Sequence, residues 1–148
     1  MSRIAGLFSR RGFNIDSLAV GTTEDPTVSR MTIIVDGDDY LVEQVSKQLN
    51  KLIDTIKVKR LNEEETVSRE LALIKVAADK DTREEIIQIV NIFRAKIIDV
   101  AHESVTVEMT GDESKMQAIF DLLAPFGIKE IVKTGLISLQ RGSDTIQK

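Results

Sequence analysis

The sequence predicts an α+β protein made of two ferredoxin-like βαββαβ domains, the first lacking its opening strand. Three observations carry this. The second half reads strand-helix-strand-strand-helix-strand, the split βαβ order. The first half follows the same order but begins one element late, at a helix. An acidic run without apolar periodicity, Asn62 to Thr66, lies between them. The expected organisation is residues 1–62 and 67–142 as the two domains, with 143–148 as a loose tail that has little to bury.

In the first half, Ile4, Leu7, Phe8 and Arg11 recur at helical spacing over Ser2 to Arg11. Gly12 stops this helix, because glycine accepts backbone angles other residues avoid. Asn14 to Val20 is extended. Glu24-Asp25-Pro26 supplies turn chemistry, and Val28 to Val35 alternates as a strand. Leu41, Val45, Leu49 and Leu52 form the stripe of a helix over Asp39 to Ile53. Asp54 to Leu61, with Ile56 and Val58, reads as the closing strand.

In the second half, Val67 to Ala77 is a strand. Thr82 to Phe93 is a helix with Ile86, Ile89, Val90 and Phe93 on one face; Asp81 or Thr82 is placed to cap it, and Glu84 and Glu85 favour its positive end. Strands follow over Lys96 to Ala101 and Ser104 to Thr110, the latter with Val105, Val107 and Met109 inward. Met116, Ile119, Phe120 and Leu123 align on a helix over Glu113 to Leu123, which Pro125 and Gly127 end. Ile128 to Thr134 is the last repeat strand, and Leu136 to Leu139 adds a short extended piece.

In a βαββαβ sheet the first strand lies in the middle. Without it, two interior strands of the first domain would face unpaired backbone groups. The expected explanations are a mis-assigned start codon, a truncated chain, or a strand supplied by another chain.

Composition excludes several functions. The 148 residues contain no cysteine, hence no disulfide, thiolate nucleophile or cysteine metal site, in keeping with a reducing cytoplasm. A net charge of -4 argues against a dedicated nucleic-acid binder, and 4% aromatics supply few stacking platforms. No apolar run is long enough to cross a bilayer, and Arg10 and Arg11 interrupt the only apolar stretch near Met1. The lone histidine, His102, reads as a solvated turn residue, with no second histidine to build a metal site. The carboxylates fall on loops and helix starts, where solvation and the helix dipole explain them. Gly6 and Gly12 lack the strand-loop-helix setting of a phosphate loop. The sequence thus predicts no catalytic residue, no metal site and no cofactor in this chain. Arg10-Arg11 reads either as a complement to a helix terminus or as a contact for an acidic partner. Asn14 reads either as a turn residue after Gly12 or as a ligand contact, since its amide carries donors and an acceptor suited to the charged ends of a free amino acid.

The stretches GLFSRRGFNIDSLAVG and DPTVSRMTI resemble the small regulatory subunit of acetolactate synthase. QLNKLIDTIKV, RELALIKV, FRAKIIDV and the final TGLISLQRG fit as well, so the resemblance runs in order along the chain. It implies an N-terminal ACT domain and a C-terminal ferredoxin-like domain. It also implies a non-catalytic, cytoplasmic subunit of branched-chain amino acid biosynthesis, dimeric through its ACT domains. That subunit activates a large catalytic subunit carrying thiamine diphosphate, magnesium and FAD, and mediates allosteric feedback by valine, or another of leucine and isoleucine. By the same resemblance, Asn14 and Ile15 are effector-binding residues, with Ser2 at the edge of the opposing loop. Direct valine binding by these 148 residues is expected to be poor, because the rest of that loop is missing. The alternatives are a free-standing amino-acid-sensing ACT protein that regulates another partner, a small acylphosphatase-like enzyme and an RNA-binding module.

Overall fold

The computed structural model describes Gly6, Phe8, Gly12 and residues 14–146. The chain divides into two compact units, Met1–Val67 with Leu136–Lys148, and Ser68–Gly135. The α+β class expected from the element order is the class found.

In the first unit, Gly6 and Phe8 are helical, and Gly12 sits in a turn at φ 70°. Strands β1 (Ile15–Thr22) and β2 (Ser29–Val35) pair antiparallel, with Leu18 opposite Ile33 and Val20 opposite Met31. The register slips between Ile15 and Ser17, a bulge centred on Asp16. The connecting loop is held by its own side chains. The Thr23 hydroxyl donates to the Val28 carbonyl at 3.0 Å, and Asp25 Oδ1 accepts from the Thr27 amide and hydroxyl. Helix α1 (Asp39–Asn50) starts at Asp38, whose carboxylate accepts the Leu41 N–H at 2.9 Å. Val45 and Leu49 on α1 are buried with Phe8, and Ile15, Ile33, Val35, Leu52 and Val58 pack around them.

The strand expected over Asp54 to Leu61 does not form; residues 55–62 join no ladder. Alternation alone is insufficient, because a strand needs a neighbour for its backbone groups. Among the described residues, this unit's small sheet consists of β1 and β2 paired with each other. Val58 still packs on the core, while Ile56 is exposed.

The acidic run forms a single 3-10 turn, Glu63–Glu65, and leads into β3 (Thr66–Ala77). The first two residues of β3 belong to the first unit. In the second unit β3 takes the central place. The order is β4 (Lys96–Val100), β5 (Ser104–Gly111), β3, β6 (Ile128–Lys133), all antiparallel. Ile74 stands opposite Val107 on one side and Ile131 on the other. This is the order a βαββαβ chain requires.

The period-2 positions Ala72, Ile74, Val76, Val105, Val107 and Met109 turn to one side and are fully or almost fully buried. Ile86 and Val90 from α2 (Arg83–Ile92) and Met116, Ile119 and Leu123 from α3 (Glu113–Leu123) complete the core. Each of the valine, isoleucine, leucine and methionine side chains contributes about 1.5–3 kcal/mol relative to exposure, so this cluster is the unit's main source of apolar stabilisation. Asp112 caps α3 by accepting the Lys115 N–H at 2.9 Å.

The cap of α2 differs from expectation. Thr82 precedes the helix, but neither its hydroxyl nor Asp81 caps it. Instead, Asp79 Oδ1 accepts the N–H groups of Asp81 and Thr82 at 2.8 and 3.0 Å, forming a local turn that leads into the helix. The last strand, β7 (Ile137–Gln140), pairs with β3, and the Arg141 N–H donates to the Glu65 carbonyl at 2.7 Å.

Candidate effector site

Asn14 immediately precedes β1, and its side chain is exposed. Its backbone is tied to the residue that follows β2 by a long hydrogen bond, the Asp36 N–H donating to the Asn14 carbonyl at 3.4 Å. Asp36-Gly37-Asp38 then turns the chain into α1. The turn is close-packed at Gly37, where a Cβ would lie 2.0 Å from Leu41 Cδ2. Ile15, half-buried, anchors the strand start to the core of Phe8, Val45 and Leu49. The bulge at Asp16 follows directly, and bulges of this kind re-aim the side chains beside them. The chain thus presents a neutral amide at the end of a braced strand, with an apolar neighbour rooted in the core. This arrangement can hydrogen-bond the polar end of a small ligand. Among the described residues it holds no nucleophile paired with an acid or base.

Of the three residues expected at the effector site, Asn14 and Ile15 are adjacent at the mouth of β1, while Ser2 lies outside the described residues, as do Arg10 and Arg11. His102 is an exposed turn residue. Its backbone carbonyl, with that of Ala101, accepts the Arg83 guanidinium at 3.0 and 2.7 Å. Among the described residues, no group of three or more histidine, aspartate or glutamate side chains is placed to hold a metal ion.

A shallow depression of about 280 Å³ in the second unit is lined by Ala77, Ala78, Asp79, Thr82, Glu103, Phe126 and Lys129. The Asp79 carboxyl there is held below the usual aspartate range, first by the Thr82 N–H and then by that of Asp81. Its oxygen is already committed to these donors, so it is a structural anion, not a poised base.

Comparison with known proteins decides the family. Residues 69–142 match the small subunit of acetolactate synthase, and residues 1–57 match the small-subunit-like ACT domain of the same enzyme. This chain belongs to the acetolactate synthase small-subunit family. It is 56% identical over 143 residues to the probable acetolactate synthase small subunit of Archaeoglobus fulgidus, covering 97% of this chain and 89% of that one. It is 56% identical over 142 residues to the acetolactate synthase small subunit of Mycobacterium bovis, covering 96% and 84%. The crystal structure of the small subunit from Thermotoga maritima superposes with a TM-score of 0.88 at 46% identity, covering 97% and 90%. The resemblance read from the sequence is therefore the relationship found. As a small subunit, the chain implies a large catalytic partner. No helix among the described residues is long and apolar enough to cross a membrane.

Sequence reasoning singled out Asn14 because an asparagine follows a helix-stopping glycine at a strand start. It missed the Asp16 bulge and the Asp36 brace. Both are pairing properties of β1 and β2, and no single strand carries their signal.

Proposed function

We propose that this chain is a non-catalytic regulatory subunit that raises the turnover of a large acetolactate synthase subunit and lowers it again when a branched-chain amino acid binds. Valine is the principal effector in this reading. The large subunit carries the thiamine diphosphate, magnesium and FAD, and the complex works in the cytoplasm. Residues 1–62 act as the effector-sensing ACT domain, paired with that of a second copy. The second regulatory domain is the stretch 67–142, of which the final residues from Leu136 group with the first unit, and 143–148 form a tail.

The observation that carries this reading is the exposed Asn14 amide on a braced strand end, inside the segment that matches the ACT domain. The amide oxygen suits an ammonium group and the amide N–H groups suit a carboxylate. Regulation follows if the effector binds one of two subunit arrangements more tightly than the other.

The test joins the purified chain to the large subunit from the same organism. The chain alone condenses no pyruvate, the complex turns over faster than the large subunit alone, and valine reverses the gain. Asn14→Ala weakens the valine response about tenfold or more, since a hydrogen bond to a charged group contributes about 1.5–3 kcal/mol. Circular dichroism of the variant stays that of wild type. Pyruvate condensation by the chain alone, or a large subunit indifferent to it, refutes the reading. An unchanged valine response in Asn14→Ala removes Asn14 from the site.

A further inference from the structure

Ser17, three residues past Asn14 and just beyond the bulge, uses its hydroxyl oxygen to accept the Leu136 N–H at 3.0 Å. From β2, Arg30 Nη2 donates to the Ser138 carbonyl at 2.8 Å. Strand β1, which starts at the candidate effector residues, and its neighbour β2 are therefore bonded to the segment Leu136 to Gln140, which is distant in sequence but part of the same unit.

That segment inverts the usual pattern of a strand. Ser138 is buried and Gln140 Oε1 is buried without a hydrogen-bond partner among the described residues, while Ile137 and Leu139 are 61% and 62% exposed. Beyond strand pairing it is tied by polar contacts that include those from Ser17 and Arg30, and of its three large apolar side chains only Leu136 is even half-buried. Such an element sits at the low end of local stability and is easily biased.

Its start is fixed from both sides. Thr134 is tied within the second unit, where its Oγ1 accepts the Leu71 N–H at 3.0 Å and its own N–H donates to the Leu71 carbonyl. Leu136 is tied to Ser17. Gly135, at φ 86°, is the single residue between these two ties, and it is the last residue of the second unit. A shift of β1 at Ser17 has one permissive residue in which to be absorbed before it reaches Thr134.

We propose that Leu136–Gln140 is a strap that carries the effector response from β1 and β2 to the chain entering the second unit, with Ser17 and Arg30 as its positioning residues. The proposal rests on the effector reading of Asn14 given above. It assigns Ser17 and Arg30 to transmission of the response, not to contact with the effector.

The experiment uses the full chain in its complex with the large subunit for amide exchange, calorimetry and inhibition, with valine as the probe, because the chain alone is expected to bind valine poorly. In Ser17→Ala the Leu136 amide exchanges roughly five- to tenfold faster, the size expected for one lost hydrogen bond. Valine affinity changes by less than about threefold, while maximal inhibition falls by about half or more, because binding and coupling are separate free energies. Ser17→Thr, which keeps the hydroxyl, restores both exchange and inhibition. Arg30→Met gives the same split with the change in exchange centred on Ser138 to Gln140, and serves in place of Ser17→Ala should that variant fail to fold. Faster exchange with full inhibition makes the strap purely structural and overturns the proposal. Unchanged exchange overturns it too, as does parallel loss of affinity and inhibition, which would put Ser17 in the site itself. A wild-type complex that ignores valine, leucine and isoleucine refutes the functional reading, and that outcome is visible without any variant.

Discussion

Replacing Gly127 by alanine separates backbone strain from crowding in the second unit. Gly127 ends the 3-10 turn Ala124–Phe126 at φ 103° and ψ 95°, outside the regions open to residues with a Cβ. Space is not the obstacle, because an added Cβ would meet only Ala77 Cβ at 3.5 Å, an ordinary contact. The backbone is pinned there: the Ala77 N–H donates to the Gly127 carbonyl at 2.8 Å, and the Gly127 N–H donates to the Ala124 carbonyl. Holding alanine in such a conformation costs about 1–3 kcal/mol. The stiffer unfolded chain offsets about 0.4–1 kcal/mol of that, leaving a mid-range net loss of roughly 1 kcal/mol. Urea unfolding followed by circular dichroism measures the total. Amide exchange at Ala77 localises it, which matters in a two-unit chain whose unfolding need not be two-state. Gly21→Ala is the control, with no atom within 4 Å of the new Cβ and no positive φ. It should be neutral or slightly stabilising. A Gly127→Ala protein as stable as wild type would refute the strain argument.

Two further outcomes follow from the helix starts. Asp38→Ala removes the acceptor of the Leu41 N–H and should cost about 0.5–2 kcal/mol in thermal unfolding, without altering the second unit's amide exchange. Asp79 has its folded-state pKa depressed, so its contribution is present above the unfolded value of 3.8 and is lost as pH falls through the folded value. The stability difference between wild type and Asp79→Ala should therefore be flat near neutrality and narrow below about pH 4; a difference that widens on acidification would contradict the assignment.

The second unit was legible in the sequence almost element by element. Its strands alternate cleanly, as in Val105, Val107 and Met109, and its helices carry single apolar stripes, so each local pattern agrees with the final packing. The capping of α2 was misplaced because Asp79 reaches its donors through a side-chain turn that mimics backbone structure, and Asp81 and Thr82 look equally able in one dimension. The first unit was less legible. Ile56 and Val58 alternate as a strand would, yet residues 55–62 join no ladder, because pairing depends on a neighbour that the local pattern does not specify.

The C-terminal segment shows the same limit more sharply. Leu136 to Leu139 reads as extended from its own residues, and it is a strand. Nothing in ISLQ reveals that the segment belongs with the first unit, since the bonds that hold it come from Ser17 and Arg30, more than a hundred residues earlier. Ile137 and Leu139 are exposed while Ser138 is buried, so hydrophobic pattern, the strongest guide elsewhere, predicts the wrong face here. Places where a local rule fails are where a chain trades stability for something else. In this chain the segment Leu136–Gln140 is bonded to β1, which starts at the candidate effector residues, and to β2, and it follows directly on Gly135, the last residue of the second unit. A strap held by apolar burial would be firmer and harder to bias; one held by a serine hydroxyl and an arginine can respond to small displacements of the strands that carry them.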